Sequence, residues 1–264
     1  MMKHRIFLLL AVASMAFVGC EKEFKPADGC FTISKTQQVK FAPGNLQVMY
    51  TIDPQTGKCD YTFTFATTQW EYLGTASTDP NTPFDLFGWG TGEHPELNVV
   101  GDSAYTTFSD WGNHTIIGPD GKPSSGWRSL TYEEWNYVIN ERPNAARLRC
   151  AAQIDGVPGM LLMPDNWSGN MRYAFASGYT DTIFVSNDPT NDDWQKFESA
   201  GAVFLPAAGV RDGNRVSGRG VYGRYWTSTP NMDNEAFYFG FMSPSDNRIP
   251  FRHLGFSVRL AKEQ

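Results

Sequence analysis

The chain holds 4 cysteines and 4 histidines in 264 residues, and neither set is arranged for metal chemistry. No Cys-x-x-Cys occurs, and no histidine lies near a cysteine at zinc-ligand spacing, so a sulfur-bound metal is not expected. His4 sits in the amino-terminal segment, while His94, His114 and His253 are too scattered to suggest a metal cluster or a triad. Gly-x-Ser-x-Gly, the mark of a nucleophile elbow, is missing. There is no Lys/Arg block and no basic amphipathic helix, and the net charge is -6. That balance argues against nucleic acid as a partner and against adhesion to anionic lipid by charge alone. No internal repeat, low-complexity tract or Pro/Ser linker divides the chain. One compact, loop-rich domain is the simpler reading of a chain this long.

No apolar run reaches the roughly 20 residues that span a bilayer. What the amino terminus does have is Lys3, His4 and Arg5 followed by the apolar run Ile6 to Val18, which suits the h-region of a secretory signal peptide. Phe17-Val18-Gly19-Cys20 then resembles the lipobox of bacterial lipoproteins, in which the cysteine becomes the lipidated first residue. The expectation is a signal peptide over residues 1–19, a lipidated Cys20, a tether over 20–30 and one domain over 31–264. The tether would reach at most ~35 Å when extended. Glu21-Lys22-Glu23 after the cysteine resembles a surface-export signal of some Gram-negative lipoproteins, although a solvated charged tether would look the same. An outer-membrane lipoprotein at the cell surface, held by its lipid anchor, is therefore expected. Loss of residues 1–19 removes Lys3 and Arg5 and no acid, taking the net charge from -6 to -8. Cys30, Cys59 and Cys150 then remain, an odd number that excludes a fully paired framework. Spacing leaves open whether Cys30 and Cys59 pair.

Phe31 to Phe41 alternates loosely and stops at the turn cluster Ala42-Pro43-Gly44-Asn45. Leu46 to Ile52 and Cys59 to Ala66 read as a hairpin about Asp53-Pro54-Gln55-Thr56-Gly57. Residues 74–127 are mostly Gly, Pro, Asp, Asn, Ser and Thr with Trp89, Trp111 and Trp127 embedded. So long an irregular stretch is unusual in a compact domain and is often functional. Thr131-Tyr132-Glu133-Glu134 is a capping box, and Leu130 and Trp135 have the spacing of a hydrophobic staple. Trp135, Val138 and Ile139 share one face, and Pro143 stops the helix by pushing Arg142 out of helical geometry. Every carboxylate and aromatic of this segment has a structural task, so it reads as scaffold. Leu148 to Ile154 and Met160 to Met163 predict a second hairpin about Asp155 to Gly159. A short helix is predicted over Asp192 to Ser199, capped by Asn191 or Thr190 and stopped by Gly201. Strands are predicted over Ala202 to Val210, Tyr225 to Thr229, Ala236 to Met242 and Gly255 to Leu260. The sum is an α+β chain with two modest helices, antiparallel sheet and long loops.

"WRSLTYEEWNYV" resembles the Arg-x-Pro-Thr-x-x-Glu-Trp-Glu-Tyr signature of the formylglycine-generating-enzyme family, the sulfatase-modifying factors. "AVFLPAAGVRDG", "GRYWTSTP" and "GFSVRLA" follow in the order of that family's late segments. With "FAPGNLQ" and "FDLFGWGT" the likeness is to non-catalytic lipoproteins of Gram-negative bacteria and spans residues 39–261. The resemblance implies a C-type lectin-like fold with a ligand-binding face formed by the late loops. It does not carry the family's activity. The segment from Tyr225 to Gly255 has no cysteine where the enzymes hold their reactive pair, and thiolate chemistry needs a thiol. Asp79-Pro80-Asn81 and Asp165-Asn166-Trp167 do not match the calcium-dependent sugar motifs of lectins of this fold.

On that resemblance the candidate binding residues are Trp226, Asn231, Asp246, Asn247 and Arg248, with Trp89 and Trp111 in second place. Trp226 would stack on a sugar or a partner side chain, and Asn247 and Arg248 would give directed hydrogen bonds. A core position on a strand explains Trp226 equally well. No cofactor is expected. A calcium site at Asp192-Asp193 with Asn187, Asp188 and Asn191 lacks EF-hand spacing, and helix capping accounts for most of that run. Gly218 to Gly223 fits Gly-x-Gly-x-x-Gly, but a β-like stretch follows it, so a glycine-rich turn is expected. Asp102-Ser103-Ala104 and Asp181-Thr182-Ile183 resemble an O-glycosylation acceptor triplet of some Gram-negative bacteria. Three functions compete: a surface module binding a glycan or protein, a structural or assembly subunit of an appendage, and an enzyme with an unrecognised site.

Overall fold

The computed structural model describes residues 25–168, 182–185, 193–242 and 250–264. The strands begin with β1 (Phe31–Thr32), β2 (Gln38–Phe41), β3 (Leu46–Ile52), β4 (Cys59–Phe65), β5 (Ile116–Ile117) and β6 (Pro123–Ser124). Helix α1 (Tyr132–Asn136) leads to β7 (Arg149–Ile154), β8 (Val157–Leu162) and β9 (Thr182–Val185). Helix α2 (Asp193–Ser199) precedes β10 (Val203–Pro206), β11 (Val210–Asp212), β12 (Arg215–Ser217), β13 (Gly223–Asn231), β14 (Glu235–Phe241) and β15 (Ala261–Glu263). Among the described residues the architecture is mixed α+β, with two short α-helices and mostly antiparallel sheet. The sheets run β1-β2-β15, β3-β4-β5-β6 and β10-β8-β7-β9, beside the pairs β11-β12 and β13-β14. The β4-β5 and β7-β9 pairings are parallel.

The β3-β4 hairpin pairs in register from Leu46 opposite Phe65 to Ile52 opposite Cys59. Its turn is made by Asp53, whose Oδ1 accepts from the amides of Gln55 at 2.8 Å and Thr56 at 3.3 Å. The β7-β8 turn is tighter than the sequence suggests. Ile154 already faces Val157, leaving only Asp155 (φ 50) and Gly156 (φ 79) between the strands. Two consecutive left-handed residues are the two-residue hairpin turn that matches strand twist. Val157, Pro158 and Gly159 therefore belong to β8. Gly159 has to lack a side chain, since a Cβ there would lie 2.4 Å from the Leu205 carbonyl oxygen and the Phe204 ring.

The capping box forms as read. The Thr131 hydroxyl accepts from the Glu134 amide at 3.2 Å, and the Glu134 carboxylate accepts from the Thr131 amide at 2.8 Å. Leu130 and Trp135 are both buried in one core cluster. The α-helix ends early, however, and Tyr137–Glu141 is a π-helical turn. Arg142 explains this. Its own Nε donates to the Val138 carbonyl at 2.7 Å, and its amide reaches instead to Tyr137 at 2.8 Å. The side chain takes the acceptor that an α-helical amide would have used.

The carboxy-terminal third packs on this capped segment. Trp135 stacks on Phe239 with centroids 4.9 Å apart, and Tyr132 lies 4.6 Å from Phe237. The Ser228 amide donates to the Leu130 carbonyl, and the Tyr132 amide to the Thr229 hydroxyl, both at 2.9 Å. Two predicted strands are corrected here. Ala202 to Val210 breaks into β10 and β11 around Ala207–Gly209. Gly255 to Leu260 is an extended strap whose hydrogen bonds go to Arg211, Phe87, Arg224, Trp226, Leu46 and Ala42 in turn. It stitches separate elements together instead of joining one sheet. Gly218 to Gly223 is a turn between β12 and β13, as expected. Phe84, Phe87, Trp89 and Trp111 from the irregular region fill one core cluster with β3, β4, Trp226 and Phe256.

Candidate functional site: the late-loop end

The late end is built on the β13-β14 hairpin and the segment Pro250–Leu254. The sequence-selected tryptophans do not line it. Trp226 is 2 % exposed, stacks 4.2 Å from Phe256, and donates its indole N–H to the Phe87 carbonyl at 2.7 Å. Trp89 is equally buried and donates to the Thr227 carbonyl at 2.9 Å. Trp111 is buried completely between Phe87 and Phe108. None has a ring face left for a ligand, so all three are corrected to core residues. The cause is physical: a chain with little helix fills its loop-enclosed interior with its largest apolar side chains. The indole N–H of Trp89 and of Trp226 also caps a loop carbonyl.

Asn231 stands half-buried at the end of β13, where its Nδ2 donates to Glu235 Oε2 at 3.0 Å across the hairpin tip. It therefore shapes the tip. Asp246, Asn247 and Arg248 lie outside the described residues, as do Cys20 and the calcium candidates Asn187, Asp188, Asn191 and Asp192. Asp193 opens α2. Among the described residues no group of three or more His, Cys, Asp or Glu is placed to hold a metal ion. Cys30, Cys59 and Cys150 are unpaired. Burial pushes the Cys150 thiol up to about 12, which withholds its thiolate at neutral pH.

Sequence reasoning missed the buried arginines. Arg252 lies 4.4 Å over the Trp89 ring and donates from Nη1 to Tyr105 O at 3.2 Å, from Nη2 to Met232 O at 2.8 Å and from Nε to Glu235 O at 3.1 Å. One guanidinium thus ties the 102–106 turn to the hairpin tip. Arg211 donates from Nε to Leu86 O at 2.9 Å and from Nη2 to Leu97 O at 3.5 Å. Arg259 donates to Asn45 Oδ1, Ala42 O and Phe204 O at 3.0, 3.0 and 2.7 Å. Burial lowers both Arg211 and Arg259 to about 10, so each stays charged at neutral pH. The signal was present: each arginine interrupts an apolar stretch, "AGVRD", "PFRHL" and "FSVRLA". A charge inside such a run stays buried only where acceptors satisfy it.

The late end exposes large apolar side chains beside polar Asp233 and Asn234. Met232 is 78 % exposed, Val100 66 %, Val99 52 % and Phe251 46 %. These residues are linked. Phe251 bridges to Glu235 beside the tip and stacks 5.8 Å from His253. His253 Nδ1 sits 2.8 Å from Asp102 Oδ1, and Asp102 closely follows Val99 and Val100. His253 Nε2 lies 3.9 Å from Asp212, next to Gly213, whose added Cβ would meet Val100. His253 is a structural residue held by a carboxylate. Ser103 is exposed on the 3-10 turn of Asp102–Ala104.

No family model, curated protein or solved structure matches this chain.

Proposed function

We propose that this chain is a surface lipoprotein with a C-type lectin-like, formylglycine-generating-enzyme-like domain. It is anchored to the outer membrane through lipidated Cys20 and works by binding, not catalysis. Its late end docks a protein partner through Met232, Phe251, Val99 and Val100. The observation that carries this reading is the character of that end: exposed apolar side chains on backbone clamped by Arg252. Large apolar side chains exposed together at one end of a domain mark protein contact. Methionine and phenylalanine are enriched at the cores of such contacts. With Trp226, Trp89 and Trp111 inside, the late end offers no tryptophan platform for a sugar ring. Docking of the capped helix on β13-β14 supports the lectin-like arrangement, because the resemblance covers both segments. A structural subunit of a surface assembly is the second reading, favoured by the same apolar end.

A photoreactive residue at position 232, compared with one at exposed Lys58, tests the contact in intact cells. A discrete crosslinked species from position 232 alone, lost in Phe251→Asp, is expected. Equal labelling from both positions, or none, overturns the reading. The anchor is tested separately by Cys20→Ser, which should move the protein from the membrane to the soluble fraction.

A further inference from the structure

A cleft of about 890 Å³ opens between the end of α2, the Asp28–Gly29 turn, β2 and the Asn166–Trp167 segment. It shares no residue with the late end. Small-molecule sites fall between about 300 and 1,000 Å³. Its polar groups are held in place from behind. Gln69, buried at its floor, accepts at Oε1 from the Phe204 amide at 2.9 Å and from Arg259 at 3.4 Å. Its Nε2 donates to Ala202 O at 3.1 Å and to Glu198 Oε1 at 3.2 Å. An exposed carboxylate is thus fixed through one oxygen by an amide that is itself locked to a buried guanidinium. Asp28 is fixed in the same way, accepting at Oδ1 from Asn166 Nδ2 at 2.7 Å. Trp167 is half-buried, packs edge-on to Phe197 at 5.6 Å, and has a buried indole N–H with no acceptor among the described residues.

We infer that this cleft binds a short neutral saccharide. Its chemistry narrows the ligand. Among the described lining residues Asp28 and Glu198 stand against one basic side chain, Lys40, so an anion is disfavoured. Among the described residues the lining lacks the acid cluster that a metal ion needs. Two oriented carboxylates, an ammonium and a half-exposed indole together suit a ligand with hydroxyls around its rim and a C–H face. Hydroxyls donate to carboxylates and accept from Lys40, and the apolar face lies on the indole. Because Glu198 and Asp28 are positioned before a ligand arrives, little ordering cost falls on binding. The inference depends neither on the lipid anchor nor on the late-end contact, so either can fail without the other.

The test uses the full chain in a detergent without a sugar headgroup. It is screened on an array of neutral mono- and oligosaccharides beside uronates and short peptides, and hits are titrated by calorimetry. At least one neutral saccharide should bind, with uronates weaker. Glu198→Gln should weaken that binding about tenfold or more, as expected for one hydrogen bond to a charged group. Trp167→Ala should abolish it, and Trp167→Phe should retain part. An unchanged melting midpoint in Glu198→Gln separates lost contact from lost fold. Silence of every neutral saccharide at about 10 mM overturns the inference. So does tighter binding of a uronate or a peptide, or binding untouched by both Trp167→Ala and Glu198→Gln.

Discussion

The irregular region 84–127 and the sheet region of β7, β8 and β10 both send residues into the core, yet their buried backbone groups are satisfied by different means. In the sheet region the polar groups pair along ladders, from Arg149 opposite Leu162 to Ile154 opposite Val157, with β10 on the far side of β8. The irregular region has only the two-residue strands β5 and β6. There the carbonyls of Leu86, Leu97 and Tyr105 go to arginines, and that of Phe87 goes to the Trp226 indole as well as to a backbone amide. Buried carbonyls need donors wherever they lie. When a segment lacks the period that builds a ladder, long side chains with several N–H groups supply them. The loops are therefore scaffold as firmly as the sheet is, and the late end inherits their order.

If the irregular region is a true core, its largest side chain should behave like a core residue. Trp111→Ala should lower stability by about 3–5 kcal/mol in denaturant unfolding. A change within about 0.5 kcal/mol, typical of surface sites, would place that region outside the folded unit. Arg211→Met sharpens the comparison, because it deletes donors while keeping apolar bulk. It leaves the carbonyls of Leu86 and Leu97 without the guanidinium and should cost about 2–4 kcal/mol by the same assay.

A buried carboxyl gives a pH-dependent version of this test. Asp85 is buried and accepts from the Leu73 and Gly74 amides at 2.7 and 3.1 Å, yet burial raises it from 3.8 to about 6. Below about 4 it is neutral in folded and unfolded chains alike. Above about 6 it is charged in both, and only the folded state bears the desolvation. Its contribution to stability should thus fall as pH rises from about 4 to about 6, by about 2–3 kcal/mol. Asp85→Asn should flatten that part of the profile, and identical slopes for the two proteins would refute the assignment. The smallest effect is expected at the cap, where Thr131→Ala should cost about 1 kcal/mol.

The features legible in the sequence were the local ones. The Thr131 capping box, the β3-β4 hairpin and the glycine turn at 218–223 depend on neighbours a few residues away. Trp89, Trp111 and Trp226 were not legible as interior, because nothing local distinguishes an indole on a ligand face from one over a core. The π turn was hidden for a related reason: it depends on where the Arg142 side chain goes, and Asp165, 2.8 Å from its Nη1, helps to hold it there. The Asp155-Gly156 turn was legible in principle, since Asp-Gly favours a two-residue hairpin, but the Pro158-Gly159 pair drew the boundary too far. The cleft joins Asp28, Gln69, Asn166 and Glu198 from four separate segments, and no spacing along the chain brings them together.

Amide hydrogen exchange on the full chain tests the central comparison most directly. The amides of Phe87, Trp89, Gly92 and Ser109, which lie in the irregular region and donate to backbone carbonyls, should exchange as slowly as those of β7, β8 and β10. In Arg252→Leu the loop amides should speed up while the sheet amides keep their protection. Fast exchange of the loop amides in the unaltered protein, with the sheet protected, would contradict the account.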